Sequence, residues 1–168
     1  MNEIENIKSE PADNTNADTS PLSIKSAFFA QDRLDELDEI PKLPNGETDY
    51  WLAGKLLCEK DGGRLPTMEE LGKLGEWLYT NDKGEHPKIG AYDDIDVRDY
   101  TFDIEKAKSI GLKNWDGSEI GGGYVNVYLW SSVEDSSDSA YERGFYTDCA
   151  FWYGYGRDGA NNQVLCLE

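Results

Sequence analysis

The chain has 168 residues and a formal net charge of −18, and hydrophobic side chains make up only 38% of it. That length holds one domain, or one domain and a tail. So acidic a chain repels phosphate backbones and anionic lipid surfaces, which argues against nucleic-acid partners, and no stretch is apolar and long enough to insert in a membrane as a helix.

Residues 1–22 are Asn, Asp, Glu, Ser, Thr and Pro with few large apolar groups, and read as disordered. Residues 23–40 allow a short amphipathic helix, although Phe29, Arg33, Leu37 and Ile40 make no clean stripe. Pro41 and Pro44 break any helix there. Residues 1–47, with eleven acidic and four basic side chains, are therefore expected to be an acidic, largely disordered tail or linker, and residues 48–168 the folded domain.

Thr48 is placed to cap a helix running to about Lys60, with Leu52, Leu56 and Cys58 near one side. Asp61-Gly62-Gly63 ends it, because glycine adopts the left-handed conformation that closes helices. Thr67 and Glu70 have capping-box spacing, and Leu71, Leu74 and Leu78 follow at helical intervals. Residues 80–100 read as a polar loop and residues 103–110 as a short third helix closed near Gly111. After Gly121-Gly122-Gly123 the period becomes two: Val125, Val127 and Leu129 alternate with Tyr124, Asn126 and Tyr128. Residues 141–147, 150–155 and 163–167 are expected to be further strands. Helices first and strands later imply an α+β class: two N-terminal helices and a small, mainly antiparallel sheet.

The chemistry-bearing residues are sparse. His86 is the one histidine, and it precedes Pro87 in a polar loop, a poor place to hold a general base rigidly. Gly121-Gly122-Gly123 precedes a strand, so it is no phosphate-cradling loop. Cys58, Cys149 and Cys166 lack metal-ligand spacing, and either all three stay thiols or one pair is oxidised. The acidic run Asp93-Asp94-Ile95-Asp96 lacks the spacing and glycine of a calcium loop. No enzyme activity, cofactor or metal is expected.

Three motifs carry a resemblance. Gly63-Arg64-Leu65-Pro66-Thr67-Met68-Glu69-Glu70-Leu71 resembles the "R-L-P-T-x-x-E-L" signature of bacterial C-type-lectin-like domains. Tyr128-Leu129-Trp130-Ser131-Ser132 resembles their "Y-x-W-S-S" strand, and Val164-Leu165-Cys166-Leu167 their closing "V-x-C-V" strand. The order and spacing agree over residues 48–168. The resemblance implies a C-type-lectin-like fold with a disulfide between Cys58 and Cys166. Formylglycine-generating enzymes share "R-L-P-T", but their late cysteine pair has no matching motif here. Asn114-Trp115-Asp116 resembles part of the calcium site of sugar-binding lectins, without its Glu-Pro-Asn companion, and reads as a solvated loop.

Within this group the chain is most similar to variable proteins diversified by retroelements. Their C-terminal segment varies at fixed surface positions through adenine changes in AAY codons, which never produce Lys, Glu, Gln, Met or Trp. Residues 145–162 contain no Lys, Glu, Gln or Met, and Trp152 is the single exception. An ordinary aromatic, turn-rich β-region would also lack Lys and Glu. The resemblance implies a ligand surface of Tyr146, Asp148, Cys149, Tyr153, Tyr155, Arg157, Asp158, Asn161 and Asn162, supported from the core by Trp130 and Trp152. Tyr offers large rigid contact area at low entropic cost, and Asn adapts its hydrogen bonding. The expected function is a non-enzymatic, receptor-binding or adhesin-type display protein for a protein or glycan ligand, at a cell surface, secreted or on a virion. A fixed structural or adhesive domain of a pilus, tail fibre or secreted adhesin stays open, as does an acidic intracellular inhibitor mimicking nucleic acid.

Overall fold

A computed structural model describes residues 19–121 and 123–168. The first regular element is a strand, not a helix: β1 (Ile24–Phe29) pairs antiparallel with the last strand, β8 (Gln163–Leu167), from Ile24 opposite Leu167 to Phe29 opposite Gln163. Pairing overrides the weak local helix pattern, because alternate residues of β1 then reach two different cores: Ala27 packs on one and Phe28 on the other. Two 3-10 turns, Ala30–Asp32 and Leu34–Glu36, follow. Arg33 between them donates to Glu36 and to Asp61, each at 2.8 Å, and holds the Asp61 carboxyl down at about 2. Leu22, Phe29, Ala30 and Leu43 are buried, so the packed chain begins well before residue 48. The expectation of an acidic disordered tail is corrected from residue 19 onward, and its first 18 residues lie outside the described residues.

Helix α1 (Tyr50–Lys60) is capped by Asp49, one residue beyond the expected Thr48, through acceptance from the Leu52 amide at 3.0 Å. Helix α2 (Met68–Leu78) starts on the expected capping box: Thr67 Oγ1 accepts from the Glu70 amide at 3.1 Å and Glu70 accepts from the Thr67 amide at 2.9 Å. Arg64 grips the same carboxylate and, with the Thr67 amide, holds Glu70 down at about 2. A short helix, α3 (Ile104–Ser109), closes before Gly111, whose φ of 85° suits the residue without a β-carbon.

Strands β2 (Tyr79–Thr80) and β4 (Thr101–Phe102) form a small ribbon. The main sheet adds β3 (Ile95–Asp96), β5 (Asn126–Glu134), β6 (Ser139–Tyr146) and β7 (Cys149–Gly156), in the order β1-β8-β5-β6-β7-β3. All its pairs are antiparallel except β5 with β8. The described chain is thus a mixed α/β protein with three helices and a large six-stranded mixed sheet. This overturns the expected α+β, C-type-lectin-like layout of two N-terminal helices and a small sheet: a strand comes first and the sheet is large and mixed, although every pair but one is antiparallel. Periodicity marks strands but not their partners. The edge strands β1 and β3 are short, and the parallel contact depends on a crossover no local pattern reveals.

Each face of the sheet packs a core. On one face Val127, Leu129, Phe145 and Ala150 meet Leu71, Leu74 and Leu78 of α2. Arg143 is also wholly buried, and its guanidinium donates to the carbonyls of Gly90 and Asp93 at 2.8 Å, fastening that loop down. On the opposite face Trp130, Ala140, Val164 and Cys166 meet Trp51, Ala53, Leu57 and Cys58 of α1. A disulfide joins Cys58 to Cys166 inside this second core, with Cα atoms 5.3 Å apart. Helix α1 covers only part of that face. Beyond it Tyr153 is 59% exposed and Tyr155 45%, so the sheet surface is open there. No helix among the described residues is long and apolar enough to cross a membrane.

Candidate ligand-binding site

Residues opposite one another in an antiparallel pair share a face, so the register dictates what gathers on the open surface. Tyr146 of β6 opposes Asn126, Gly144 opposes Tyr128, and Glu142 opposes Trp130. Across the other edge of β6, Gly144 opposes Phe151, Glu142 opposes Tyr153, and Ala140 opposes Tyr155. Gly144 is required by this arrangement: a β-carbon there would stand 2.0 Å from Phe151 Cζ, so only glycine lets that ring lie across β6. Phe151 then contacts Tyr146, Tyr153 and Tyr128 at centroid distances of 4.7, 5.4 and 5.7 Å. The Tyr128 and Tyr146 hydroxyls share a hydrogen bond of 2.6 Å.

These rings wall a cavity of about 350 Å³ whose lining also includes Trp115, Asn126, Glu142, Asn161 and Asn162. Glu142 is 2% exposed and accepts from Asn162 Nδ2 at 2.7 Å. Burial pushes its carboxyl up to about 7, against the opposing pull of the Asn162 amide. Asn126 Oδ1 is buried and has no partner among the described residues, and neither has the indole N–H of Trp130, the residue opposite Glu142. Buried polar atoms without partners are uncommon and mark places where a ligand or water completes the bonding.

A second cavity, of about 450 Å³, lies on the far side of Tyr146, Phe151 and Tyr153, lined by Asp94, Asp96, Arg98, Asp148 and Cys149. The Cys149 thiol is half-buried, and burial, reinforced by neighbouring Asp148, pushes its pKa up. It is therefore a poor thiolate and no activated nucleophile.

Most of the surface read from the sequence comes together here. Tyr146, Cys149, Tyr153, Tyr155, Asp148, Asn161 and Asn162 line one cavity or both. Asp158 is exposed in the turn after β7 and lines neither. Arg157 is a correction: it is 5% exposed, pairs with Asp49 at 2.5 Å and Glu134 at 2.6 Å, and stacks over Trp51 at 4.6 Å. It is a frame residue, since the α1 cap carboxylate draws it inward. Asn162 is likewise buried, and its reach is to Glu142 rather than to solvent. Trp130 is wholly buried, while Trp152 is half-buried on the other face, packed on Tyr92 and Tyr141 at 5.0 and 5.4 Å. Trp152 therefore supports a surface aromatic cluster and not the core. Asn114, expected in a solvated loop, is fully buried, and its side chain bonds Ser118, Glu119, Tyr124 and Asn126.

Glu142, Tyr128, Asn126 and Phe151 are not among the ligand-surface residues expected from the sequence. Their signal is the two-residue alternation of Glu142, Gly144 and Tyr146, and of Asn126, Tyr128 and Trp130, which puts each set on one face. Among the described residues no group of His, Cys, Asp or Glu side chains gathers to hold a metal ion. No family model, no curated protein and no solved structure matches the chain.

Proposed function

We propose that this protein is a non-enzymatic ligand-binding display module that engages a protein or glycan through the open aromatic face of β5, β6 and β7. The observation that carries the reading is the split within residues 145–162. Tyr153 and Tyr155 stand out on a hydrogen-bonded sheet, while Arg157 and Asn162 in the same segment turn inward and brace it. Exposed rings on rigid strands present contact area without an ordering cost at binding. An aromatic rather than uniformly acidic face favours display over mimicry of nucleic acid. The motif resemblance and the residue usage of this segment support the more specific version, a variable protein diversified by a retroelement.

Sequencing the 3′ end of the gene across a natural population tests this version. Substitutions are expected at Tyr146, Asp148, Cys149, Tyr153, Tyr155, Asp158 and Asn161, with Trp130, Arg157 and Asn162 constant. An invariant 3′ end would leave a module with one fixed ligand. Variation concentrated at the buried positions would remove the display reading itself.

A further inference from the structure

The walls and the floor of the 350 Å³ cavity come from different parts of the chain. Tyr153, Tyr155 and Asn162 belong to residues 145–162, whereas Asn126, Tyr128 and Glu142 lie upstream on β5 and β6. Glu142 is the one carboxyl in the lining, and no Lys, Arg or His accompanies it. Its side chain has a single hydrogen-bond partner among the described residues, the neutral Asn162 amide. The titratable groups facing it are tyrosines: Tyr128 from β5, Tyr146 from its own strand, and Tyr153 and Tyr155 from β7. A carboxylate without a counter-charge is costly to bury. Aromatic faces are themselves electronegative and attract cations. The buried acceptor Asn126 Oδ1 also lacks a donor among the described residues. The floor therefore offers a carboxyl and a free acceptor to a positive ligand, and no side chain of the lining supplies the charge.

We propose that the cavity is an organic-cation site, taking an alkylammonium group with Glu142 as counter-charge and the rings of Tyr128, Tyr153 and Tyr155 as walls. The proposal rests on the reading of the open face as a ligand surface and names the chemistry it selects. Because Glu142 and Tyr128 lie outside the segment 145–162, the anchor persists whatever the walls become.

The alkylammonium belongs either to a free quaternary amine or to a lysine side chain of a partner, and one calorimetric experiment on the full chain separates these. Choline is titrated against its neutral carbon isostere 3,3-dimethyl-1-butanol, and Nα-acetyl-lysine methylamide against Nα-acetyl-norleucine methylamide. At pH 8 at least one cation is expected to bind about tenfold or more tighter than its neutral analogue. The cation that wins identifies the source. Glu142→Gln is expected to reduce cation affinity about tenfold while leaving the neutral analogue unchanged, and lowering the pH from 8 to 6 should weaken the wild type but not the variant, because protonation of Glu142 removes the counter-charge. Tyr128 and Tyr155, whose hydroxyls burial pushes up, stay neutral across that range. The substitution is isosteric and removes a buried charge, and a thermal melt run in parallel verifies the fold. Neither cation exceeding its neutral analogue, or Glu142→Gln binding cations as the wild type does, overturns the proposal. If neutral and cationic probes bind equally and Tyr153→Ala/Tyr155→Ala abolishes both, the face survives as an aromatic surface and only the cation specificity falls.

Discussion

Two halves of one sheet face meet different fates. Under α1, Trp130, Ala140, Val164 and Cys166 are sealed by Trp51, Leu57 and a disulfide. A few ångströms along the same strands, Tyr128, Glu142, Phe151, Tyr153 and Tyr155 surround an open cavity. The strands are continuous, so secondary structure does not distinguish the halves. What differs is the cover: one half is finished by a helix, and the other is left with large rings, a single acid and an Asn126 oxygen with no partner among the described residues. The first half behaves as scaffold and the second as site, and substitutions should separate them.

The largest effect is expected from the sealed half. Replacing Cys58 and Cys166 by Ser reopens a loop spanning 108 residues and should cost up to about 4 kcal/mol in urea denaturation. Next comes Arg157→Ala, which strands the buried Asp49 carboxylate and should cost about 3 kcal/mol by the same measurement. Its placement in the segment 145–162 makes it the sharpest check: a surface residue would give almost nothing.

Glu142 in the open half should act with the opposite sign. Its carboxyl stays protonated in the folded protein up to about 7, against an ordinary value of 4.5. The stability it lends is complete below the ordinary value and is lost as pH rises through about 7. Glu142→Gln should therefore be more stable than the wild type at pH 8 by about 2 kcal/mol, with the gap closing toward pH 4, read from paired urea curves. A gap that is flat with pH would show that the carboxyl is not held in a dry site. The smallest effect belongs to Tyr153→Ala/Tyr155→Ala, about 1 kcal/mol, since the two residues are 59% and 45% exposed. A loss of several kcal/mol there would make the open half part of the core and erase the comparison.

The opposite face of the sheet, packed on α2, was the most legible in the sequence. The capping box at Thr67 and Glu70, the stripe of Leu71, Leu74 and Leu78, and the alternation through Val127 and Leu129 are local patterns, and each appears where expected. The site was legible in part. Tyr146, Tyr153 and Tyr155 were readable because aromatics in a short strand region stand out. Arg157 was misplaced because its partner Asp49 lies 108 residues away, beyond any pattern. Glu142 escaped notice for a related reason: in a chain with 34 acidic residues one more glutamate carries no signal, and only the register across β5, β6 and β7 shows that this one is dry. The strand β1 was missed because its partner, β8, is at the opposite end of the chain.

The clamp at Arg157 has a consequence for engineering. Its carbonyl accepts from the Tyr50 amide at 2.7 Å and its own amide donates to the Asp138 carbonyl at 2.8 Å, in addition to its ion pairs. The C-terminal end of β7 is thereby pinned to α1 and to the β5–β6 hairpin independently of the rings before it. A combinatorial library randomised at Tyr153, Tyr155, Asp158 and Asn161, with Arg157 held fixed, should retain its backbone across most members, which makes the open half a graft site for selected binders.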